Sequence, residues 1–437
     1  MLRPWQRRRD RTVDFSKAIP TKRASKAHAS AILILGMALT IHIFTFVSWL
    51  LAFGWLWQAV GAARGVPQLP DLTSIDPESM PAIADRDGPH LTVIVPALNE
   101  ESSIESTLRS LLASSGLRLQ IIAVNDRSTD STGKKMDAIA AQAKAESSPH
   151  SLQVIHIDSL PAGWLGKPHA MALASQQARA PWLLFTDGDV LFKPRALELA
   201  MREAVALDAD HLVLMPTAIL KATGERAVLA AMQAIAQWTV RLWKVSDPGT
   251  RDSIGVGGFN LLQRDVYEQI GGFEALRMEV LEDLRLGWLI KRAGYKQRAV
   301  LGPELVRVRW MKGSFAVIGL MEKNAFAAFR YKVGTTAFAC IGLALYPIVT
   351  VAAIFAGSWS LATSVVAIHM AVGLAYAASR RITRVSPWHI VLFAPAAALL
   401  NYAIVRSMIF ALVRNGIDWR GTRYSLTELR RHAGSGW

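Results

Sequence analysis

The sequence is poor in cysteine and in charged residues, and each shortage excludes a class of protein. Cys340 is the only cysteine among 437 residues. Because a disulfide needs two thiols and structural zinc sites use several, neither a disulfide-stapled scaffold nor a cysteine-ligated metal centre is expected. Charged residues make up 19% of the chain and hydrophobic residues 51%, which is too apolar for an ordinary soluble protein of this length.

Long apolar stretches account for the imbalance. Residues 31–63 and 333–379 contain no Asp, Glu, Lys or Arg, and a third apolar stretch covers residues 385–405. Since about 20 apolar residues span a bilayer, the first stretch fits one transmembrane helix and the second fits two. The third stretch gives either a further span or a re-entrant or interfacial helix, because Pro395 and Asn401 interrupt it.

The positive net charge of +15 indicates an anionic partner. Much of this charge lies beside the apolar stretches, at residues 7–9, 380–381 and 430–431. That placement favours the anionic surface of a membrane over nucleic acid, since basic residues next to membrane segments bind acidic lipid headgroups.

From Leu91 onward the sequence changes to short apolar runs that alternate with helical stretches. Helices are predicted from about Glu100 to Ala113 and from Ser131. Strands are predicted at residues 91–95, 119–124, 152–157 and 182–185. Near-continuous apolar strands between helices predict an α/β fold with a mostly parallel sheet covered on both faces. Such sheets bind ligands at the carboxyl ends of their strands.

Acidic residues stand at two of these strand ends. Asp187 and Asp189 follow the fourth strand, with Gly188 between them, and Asp126 ends the second. Carboxylates are the ligands that Mg²⁺ or Mn²⁺ prefers, and such an ion neutralises a diphosphate. A lone Asp-x-Asp is typical of a solvated turn, but here it belongs to a series of strand ends. Asp126 either accepts hydrogen bonds from a base or ribose or caps the following helix.

Three further features each admit two interpretations. Lys167, in a glycine-flanked loop, either reaches a phosphate or lies along the surface. The pair Gly257 and Gly258 either exposes backbone to a ligand or forms an ordinary turn. Glu282 and Asp283 open a predicted helix, where acids are favourable to the helix dipole whether or not they act in catalysis.

Four runs, taken together, resemble family 2 glycosyltransferases of the GT-A fold. They are Val-Pro-Ala-Leu-Asn-Glu-Glu (95–101), Asn-Asp-Arg-Ser-Thr-Asp (125–130), Thr-Asp-Gly-Asp (186–189) and Glu-Asp-Leu (282–284). Their order and spacing are far more specific than any single run. The resemblance covers roughly residues 91–310, and residues 160–167 resemble the subgroup that acts on hopanoids, carotenoids or ceramide-type lipids.

The resemblance implies a Rossmann-like catalytic domain with transmembrane helices on both sides. It also implies an inverting transfer of sugar from a nucleotide sugar, expected to be a UDP-sugar, to a lipid-like acceptor. Asp189 is expected to bind Mg²⁺ or Mn²⁺, and Asp283 to act as the general base, with Glu282 as the second candidate. Contacts to the nucleotide sugar are expected from Pro96, Ala97, Asn99, Glu100, Asp126, Lys167 and Asp187.

The sequence departs from the family in one motif. Many relatives carry Gln-x-x-Arg-Trp, whereas residues 306–310 read Val-Arg-Val-Arg-Trp. Arg309 and Trp310, with Gly258, are expected to contact the acceptor and the diphosphate. The missing glutamine weakens any expectation of processive polymer synthesis.

Nucleotide sugars are cytosolic. The catalytic domain is therefore expected on the cytoplasmic face of the cell (inner) membrane. This orientation puts the basic residues between Arg3 and Lys26 outside, against the positive-inside tendency, and one hypothesis is that the true start is Met37.

The predicted segments are a basic N-terminal segment (1–30), a transmembrane helix (31–60), a linker (61–90), the catalytic domain (91–310), an amphipathic interfacial helix (311–332), a membrane domain of two to three helices (333–413) and a basic C-terminal tail (414–437). The amphipathic helix is expected to lie either in the headgroup region or on the enzyme core.

Two alternatives remain open at this stage. A polyprenyl-phosphate sugar transferase would need a basic acceptor pocket, for which Arg307, Arg309 and Arg330 are available. A non-catalytic membrane scaffold would keep the nucleotide-binding fold alone, and the intact acidic residues argue against it.

Overall fold

The computed structural model of the protein describes residues 22–85 and 87–433. Most of the predicted basic N-terminal segment, residues 1–21, therefore lies outside the described residues, as do the last four residues of the predicted C-terminal tail.

Helices and strands alternate through the middle of the chain, with long helices on either side. The helices are α1 (Lys22–Gly65), α2 (Ile104–Leu112), α3 (Thr132–Ala145), α4 (Gly166–Ser175), α5 (Ala196–Ala206), α6 (Thr223–Ala236), α7 (Arg264–Gln269), α8 (Glu282–Arg292), α9 (Ala316–Ala328), α10 (Val333–Phe355), α11 (Trp359–Ala378), α12 (Arg380–Thr383), α13 (Phe393–Val413) and α14 (Leu426–His432). The strands are β1 (Leu91–Ala97), β2 (Leu119–Asp126), β3 (Ser151–Ile157), β4 (Trp182–Phe185), β5 (Val190–Phe192), β6 (His211–Met215), β7 (Thr217–Ala218), β8 (Asn260–Gln263), β9 (Gln297–Leu301), β10 (Val306–Val308), β11 (Gly416–Trp419) and β12 (Thr422–Ser425).

Seven strands form the main sheet in the order β3-β2-β1-β4-β8-β6-β9. All neighbours are parallel except β8, which runs antiparallel to β4 and β6. The four strands predicted from the sequence lie side by side at one end, and β4 has the predicted bounds. The expected α/β class and mostly parallel sheet are confirmed. Two smaller sheets, β5-β10-β7 and the hairpin β11-β12, lie outside the main one.

Both faces of the main sheet are buried because side chains alternate along each strand. Val93 and Val95 of β1 belong to one core cluster together with Leu108 of α2. Ile94, between them, packs in a second cluster with Met171 of α4. Helices therefore cover the sheet on both sides, and its carboxyl-terminal edge is left for polar side chains.

The predicted linker packs along the edge of the sheet. Leu72 is buried in the main core, and its N–H donates to the carbonyl of Leu301 in β9 at 2.9 Å. Asp71 lies 3.5 Å from the guanidinium of Arg381, which follows α11. These contacts tie the segment after α1 to the catalytic part of the chain.

Among the residues that the structure describes, four helices are long and apolar enough to cross a membrane: Ser30–Gln68, Val333–Phe355, Trp359–Ala378 and Pro387–Val413. They match the apolar stretches found in the sequence and lie both before and after the main sheet. α1 packs along α11, and α10 packs along α13.

The last of these helices, α13, also lies against helices outside the apolar group. It contacts α6 and α9 as well as α10. The hydroxyl of Ser407 accepts the Phe326 N–H at 3.0 Å, and Arg406 forms an ion pair with Glu322 of α9. One side of α13 therefore packs on α6 and α9.

The segment predicted as a basic tail forms the β11-β12 hairpin and α14. Ile417, Trp419 and Tyr424 are buried in a cluster that also contains Leu165, at the start of α4, and Val280, before α8. The hairpin is thereby held next to two loops at the carboxyl-terminal edge of the main sheet.

Candidate active site

The loops after β1 and β2 are joined by hydrogen bonds into one wall. Asn99 adopts a left-handed conformation with φ 56°, and its side-chain oxygen accepts the Thr129 N–H at 2.8 Å. Its own N–H donates to Ser128 Oγ at 3.1 Å, and the Glu100 N–H donates to Thr132 Oγ1 at 2.8 Å. Pro96 and Ala97 are the buried last residues of β1. Four of the residues expected to contact the nucleotide, Pro96, Ala97, Asn99 and Glu100, therefore lie together at the end of β1.

Asp126 is fully buried beside Arg127. The guanidinium donates to both carboxylate oxygens, at 2.7 and 3.1 Å, and this hydrogen bond raises the pKa of Arg127. A Cβ at Gly166 would lie 2.4 Å from Asp126 Oδ2, so only glycine allows α4 to start this close. The capping role considered for Asp126 belongs to Asp130, whose carboxylate accepts the Thr132 N–H at 2.9 Å.

Lys167 connects two of the acidic sequence motifs. Its Nζ lies 2.6 Å from Asp187 Oδ1 and 2.6 Å from Glu282 Oε1. Burial favours the neutral amine, but the charges of Asp187, Glu282 and Asp283 outweigh it and raise the pKa of Lys167. Burial alone would raise the pKa of Asp187, but the positive charge of Lys167 outweighs this effect, and the pKa of Asp187 is lowered. Lys167 is thus a fixed cation at the centre of the site.

Asp283 lies beside this ion pair and is held by backbone groups. Its Oδ2 accepts the Gly257 N–H at 2.8 Å, and its Oδ1 accepts the Leu284 N–H at 2.8 Å. Burial, followed by the charge of Glu282, raises the pKa of Asp283 to about 6. A Cβ on Gly257 would lie 2.5 Å from Asp187 Oδ2, so this glycine brings Asp283 and Asp187 into one crevice.

Asp189 completes the group of carboxylates. Burial, followed by the charges of Asp187 and Glu100, raises the pKa of Asp189 to about 7. Gly188 packs closely on β1, where its Cβ would lie 3.2 Å from that of Ala97. Within residues 22–85 and 87–433, no three His, Cys, Asp or Glu side chains form a ready-made metal site. One or two carboxylates nevertheless fit Mg²⁺ or Mn²⁺ when substrate phosphates supply further ligands.

The three residues expected to contact acceptor and diphosphate separate in the structure. Gly258 lies at the site, because its carbonyl accepts Thr186 Oγ1 at 2.9 Å. Arg309 instead forms a two-armed ion pair with Glu225 of α6, at 2.7 and 2.9 Å. Trp310 packs against the apolar cluster that α6 shares with α10, α11 and α13. Arg309 and Trp310 therefore connect the enzyme domain to the apolar helices.

Two cations that sequence reasoning did not identify lie near the carboxylates. The charges of Arg420 and Lys323 both act to lower the pKa of Asp187. Burial lowers the pKa of Lys323 itself to about 8, although Glu282 and Asp283 act against this shift. Lys323 lies in the segment predicted as an amphipathic interfacial helix (311–332), which was not expected to contribute to the site. Arg420 lay in the supposed tail, where the alternation of Ile417, Trp419 and Tyr424 around an Arg-Gly pair was the available signal for a hairpin.

Comparison with known proteins identifies the domain. Residues 92–285 match the family described as glycosyl transferase family 2. This part of the chain is a family 2 glycosyltransferase domain. The 4,4'-diaponeurosporenoate glycosyltransferases of Staphylococcus aureus strains USA300 and Newman are each 25% identical over 201 residues, which is 45% of this chain and 50% of the relative. The similarity thus spans half the length of these curated relatives.

Solved structures also resemble the chain at low identity. The mannosyltransferase PcManGT from Pyrobaculum calidifontis, in complex with GDP-Man and Mn²⁺, has 18% identity and a TM-score of 0.46, over 86% of this chain and 98% of that one. S. aureus TarS 1-349 in complex with UDP-GlcNAc has 14% identity and a TM-score of 0.35, over 77% of this chain and 96% of that one. The family 2 glycosyltransferase domain and its mostly parallel sheet agree with the GT-A fold expected from the sequence motifs.

Proposed function

We propose that this glycosyltransferase moves a sugar from a nucleotide sugar, expected to be a UDP-sugar, to a lipid or lipid-like acceptor with inversion of the anomeric centre. The observation that carries the proposal is the convergence of Lys167, Asp187, Gly257 and the pair Glu282 and Asp283 on one crevice. Lys167 joins Asp187 to Glu282, while Gly257 lies against Asp187 and binds Asp283. Residues from four separate segments between 167 and 283 thereby surround one space at the carboxyl ends of the strands.

Asp283 is the side chain best suited to remove the proton from the acceptor hydroxyl. With a pKa raised to about 6, it is ionised at neutral pH and close enough to that pH to act as a general base. The N–H groups of Gly257 and Leu284 fix its orientation. Glu282 is less suited to this role because its carboxylate is paired with Lys167.

The departing diphosphate carries negative charge, and the residues around Asp189 fit a divalent ion that would bind it. Such an ion stabilises the charge of the leaving group electrostatically. Lys167 adds a fixed positive charge between Asp187 and Glu282. The joined loops at Asn99 and Glu100 provide a wall for the nucleotide.

A lipid-like acceptor is supported by the position of α9. Lys323 on this helix faces the carboxylates, whereas Phe326 N–H bonds to Ser407 of α13. The site therefore lies one helix away from an apolar surface. The relatives' activity on 4,4'-diaponeurosporenoate agrees with such an acceptor.

The contacts of three arginines disfavour the polyprenyl-phosphate alternative. Arg307, Arg309 and Arg330 each form an ion pair with a glutamate, at 3.9, 2.7 and 3.0 Å. Since they do not converge on a common pocket, a neutral hydroxyl acceptor is the better proposal.

For the membrane arrangement, we propose that α1, α10 and α11 cross the bilayer and that α13 lies in its interface. α13 contacts α6 of the enzyme domain and α9, the helix that follows this domain, and Arg406 of α13 is paired with Glu322 of α9. The enzyme domain then faces the cytoplasm, where nucleotide sugars are available.

The proposed function is tested by a donor screen that measures released nucleoside diphosphate. Purified full-length protein in lipid vesicles would be supplied with UDP- and GDP-sugars and with neutral lipid alcohols or polyprenyl phosphate. Asp283→Asn is expected to lower turnover about 10²- to 10⁴-fold, because an amide cannot act as the base. The matched control is Asp265→Asn, an exposed acid at the start of α7. Undiminished turnover in Asp283→Asn would contradict the assignment of the base, and NMR of the product checks inversion.

A further inference from the structure

The turn of the β11-β12 hairpin contains an arginine where this side chain is unusual. Trp419 pairs with Thr422, so Arg420 and Gly421 form a two-residue loop, with φ values of 51° and 76°. Two successive positive φ values define a type I′ turn, which favours Asn-Gly or Asp-Gly. An arginine in this conformation is strained, and strain of this kind persists where a side chain is needed for function.

The position of Arg420 points to a role in the site. Its charge acts on both Asp187 and Lys323. Its Nη1 is buried and has no hydrogen-bond partner within the part of the chain that the structure covers. A buried donor without an acceptor is uncommon in folded proteins, so a ligand oxygen is the natural partner for this nitrogen.

The hairpin is fixed to the active-site walls by several side chains. Thr422 Oγ1 accepts from Arg127 Nη1 at 3.4 Å, and the Tyr424 hydroxyl is hydrogen-bonded by the Gly166 backbone. Trp419 is buried, and Lys323 Nζ lies 4.2 Å from the centre of its ring. The hairpin is therefore a wall of the crevice and holds Arg420 in a set position.

We propose that Arg420, supported by Lys323, binds the diphosphate of the nucleotide-sugar donor, the role that the family resemblance implied for Arg309. Arg309 cannot also fill it while Glu225 occupies both arms of its guanidinium. A guanidinium suits this task because its donors match phosphate oxygens in pairs. The inference rests on the proposed function and adds a residue from a hairpin far along the chain.

The test uses Arg420→Asn, which removes the guanidinium and leaves Asn-Gly, a favoured pair for this turn. Binding of UDP with Mn²⁺, of GDP with Mn²⁺ and of uridine would be measured by calorimetry on the purified full-length protein. We expect the affinity for the nucleoside diphosphate to fall roughly ten- to a hundredfold, as for a lost charge-assisted hydrogen bond. Uridine affinity should stay unchanged, and the donor KM should rise. Arg423→Gln, which alters an exposed residue of the same hairpin, should change neither affinity.

The outcomes separate this inference from the proposed function. If the unaltered protein bound neither diphosphate and transferred no sugar, the proposed function would fail and this inference with it. Equal diphosphate binding by the unaltered protein and Arg420→Asn would overturn this inference alone. An equal loss of diphosphate and uridine affinity would also overturn it, because it would indicate a general disturbance of the site. A loss confined to turnover with polyprenyl phosphate would overturn this inference as well, because it would assign Arg420 to an acceptor phosphate.

Discussion

At the scale of single residues, the site is organised by one lysine shared between two carboxylates. Lys167 is paired with Asp187 and Glu282, while Asp283, next to Glu282, is bound by backbone N–H groups. Two neighbouring acids thus have different environments. One balances a buried cation, and the other is left with a raised proton affinity suited to base catalysis.

This difference predicts the pH dependence of the enzyme. Asp283 acts as a base only when ionised, so kcat/KM should fall as the pH drops through about 6, the pKa to which burial and Glu282 raise this carboxyl. Glu282→Gln removes a negative charge that helps to raise this pKa. The fall of kcat/KM on the acid side should therefore move to lower pH. The rate of nucleoside diphosphate release, measured from pH 4.5 to 8, checks both expectations. Glu268→Gln, an exposed change in α7, should leave the profile where it was, whereas an upward shift in Glu282→Gln would count against this role for Asp283.

The strand-end carboxylates were predictable because a parallel sheet brings the ends of its strands to one edge. That rule places Asp126, Asp187 and Asp189 together without coordinates. The division of work between Glu282 and Asp283 was not predictable in the same way. It depends on which carboxylate points to Lys167, more than a hundred positions earlier in the chain, and sequence order does not encode that direction.

At the scale of elements, the Glu225–Arg309 pair joins the end of β10 to α6. Glu225 is almost fully buried, and its carboxylate also accepts the N–H of Gly313 at 2.6 Å. The hydrogen bond from Arg309 comes first among the causes that lower the pKa of Glu225 to about 2. This pair therefore fixes the chain where it passes from the enzyme domain to α9.

We expect Arg309→Gln to reduce stability rather than donor binding. Removing one partner of a buried ion pair costs about 3 kcal/mol, so the thermal unfolding temperature in detergent should fall by several degrees. The pKa of Glu225 is lowered, so the contribution of the pair is complete above about pH 4.5 and is lost as the pH falls towards about 2. Calorimetric affinity for UDP should match that of the unaltered protein. The control is Arg307→Gln, two residues earlier in β10, where the ion pair is looser at 3.9 Å. A drop in UDP affinity for Arg309→Gln alone would return Arg309 to the diphosphate site.

The β11-β12 hairpin and the Glu225–Arg309 ion pair were not predicted from the sequence. Arg309 and Glu225 are 84 positions apart, and a family motif gives no warning that the arginine has another partner. The hairpin was obscured by its many basic residues, which indicate a membrane-surface tail when only charge is considered. Its apolar residues alternate as in a strand, but their burial depends on the loops before α4 and α8.

At the scale of the whole molecule, the enzyme domain and the apolar helices share one core cluster. α6 contributes Val228 and Ala231, α1 contributes Trp55, and α13 contributes Phe393. Trp55 and Phe393 pack edge to face, with ring centroids 5.5 Å apart. The domain therefore packs directly against the apolar helices through side chains of α6.

The proposed interfacial position of α13 predicts the sidedness of its ends. In a Cys340→Ala background, cysteines introduced by Trp388→Cys and Asn415→Cys should react with a membrane-impermeant maleimide from the same, cytoplasmic side of oriented vesicles. The control pair is Lys332→Cys and Trp359→Cys, which flank α10 and should react from opposite sides. Labelling of Trp388→Cys and Asn415→Cys from opposite sides would show that α13 crosses the bilayer.

The cluster around Trp419 has a consequence for biosynthesis. In this cluster, Leu165 and Val280 of the enzyme domain pack with Ile417, Trp419 and Leu429. The last three residues follow all the apolar helices in the sequence and are therefore translated after them. The ribosome must therefore release this stretch before the crevice gains its final wall. A nascent chain that already contains all of its apolar helices still lacks the hairpin, so this wall of the crevice forms only after those helices have been synthesised.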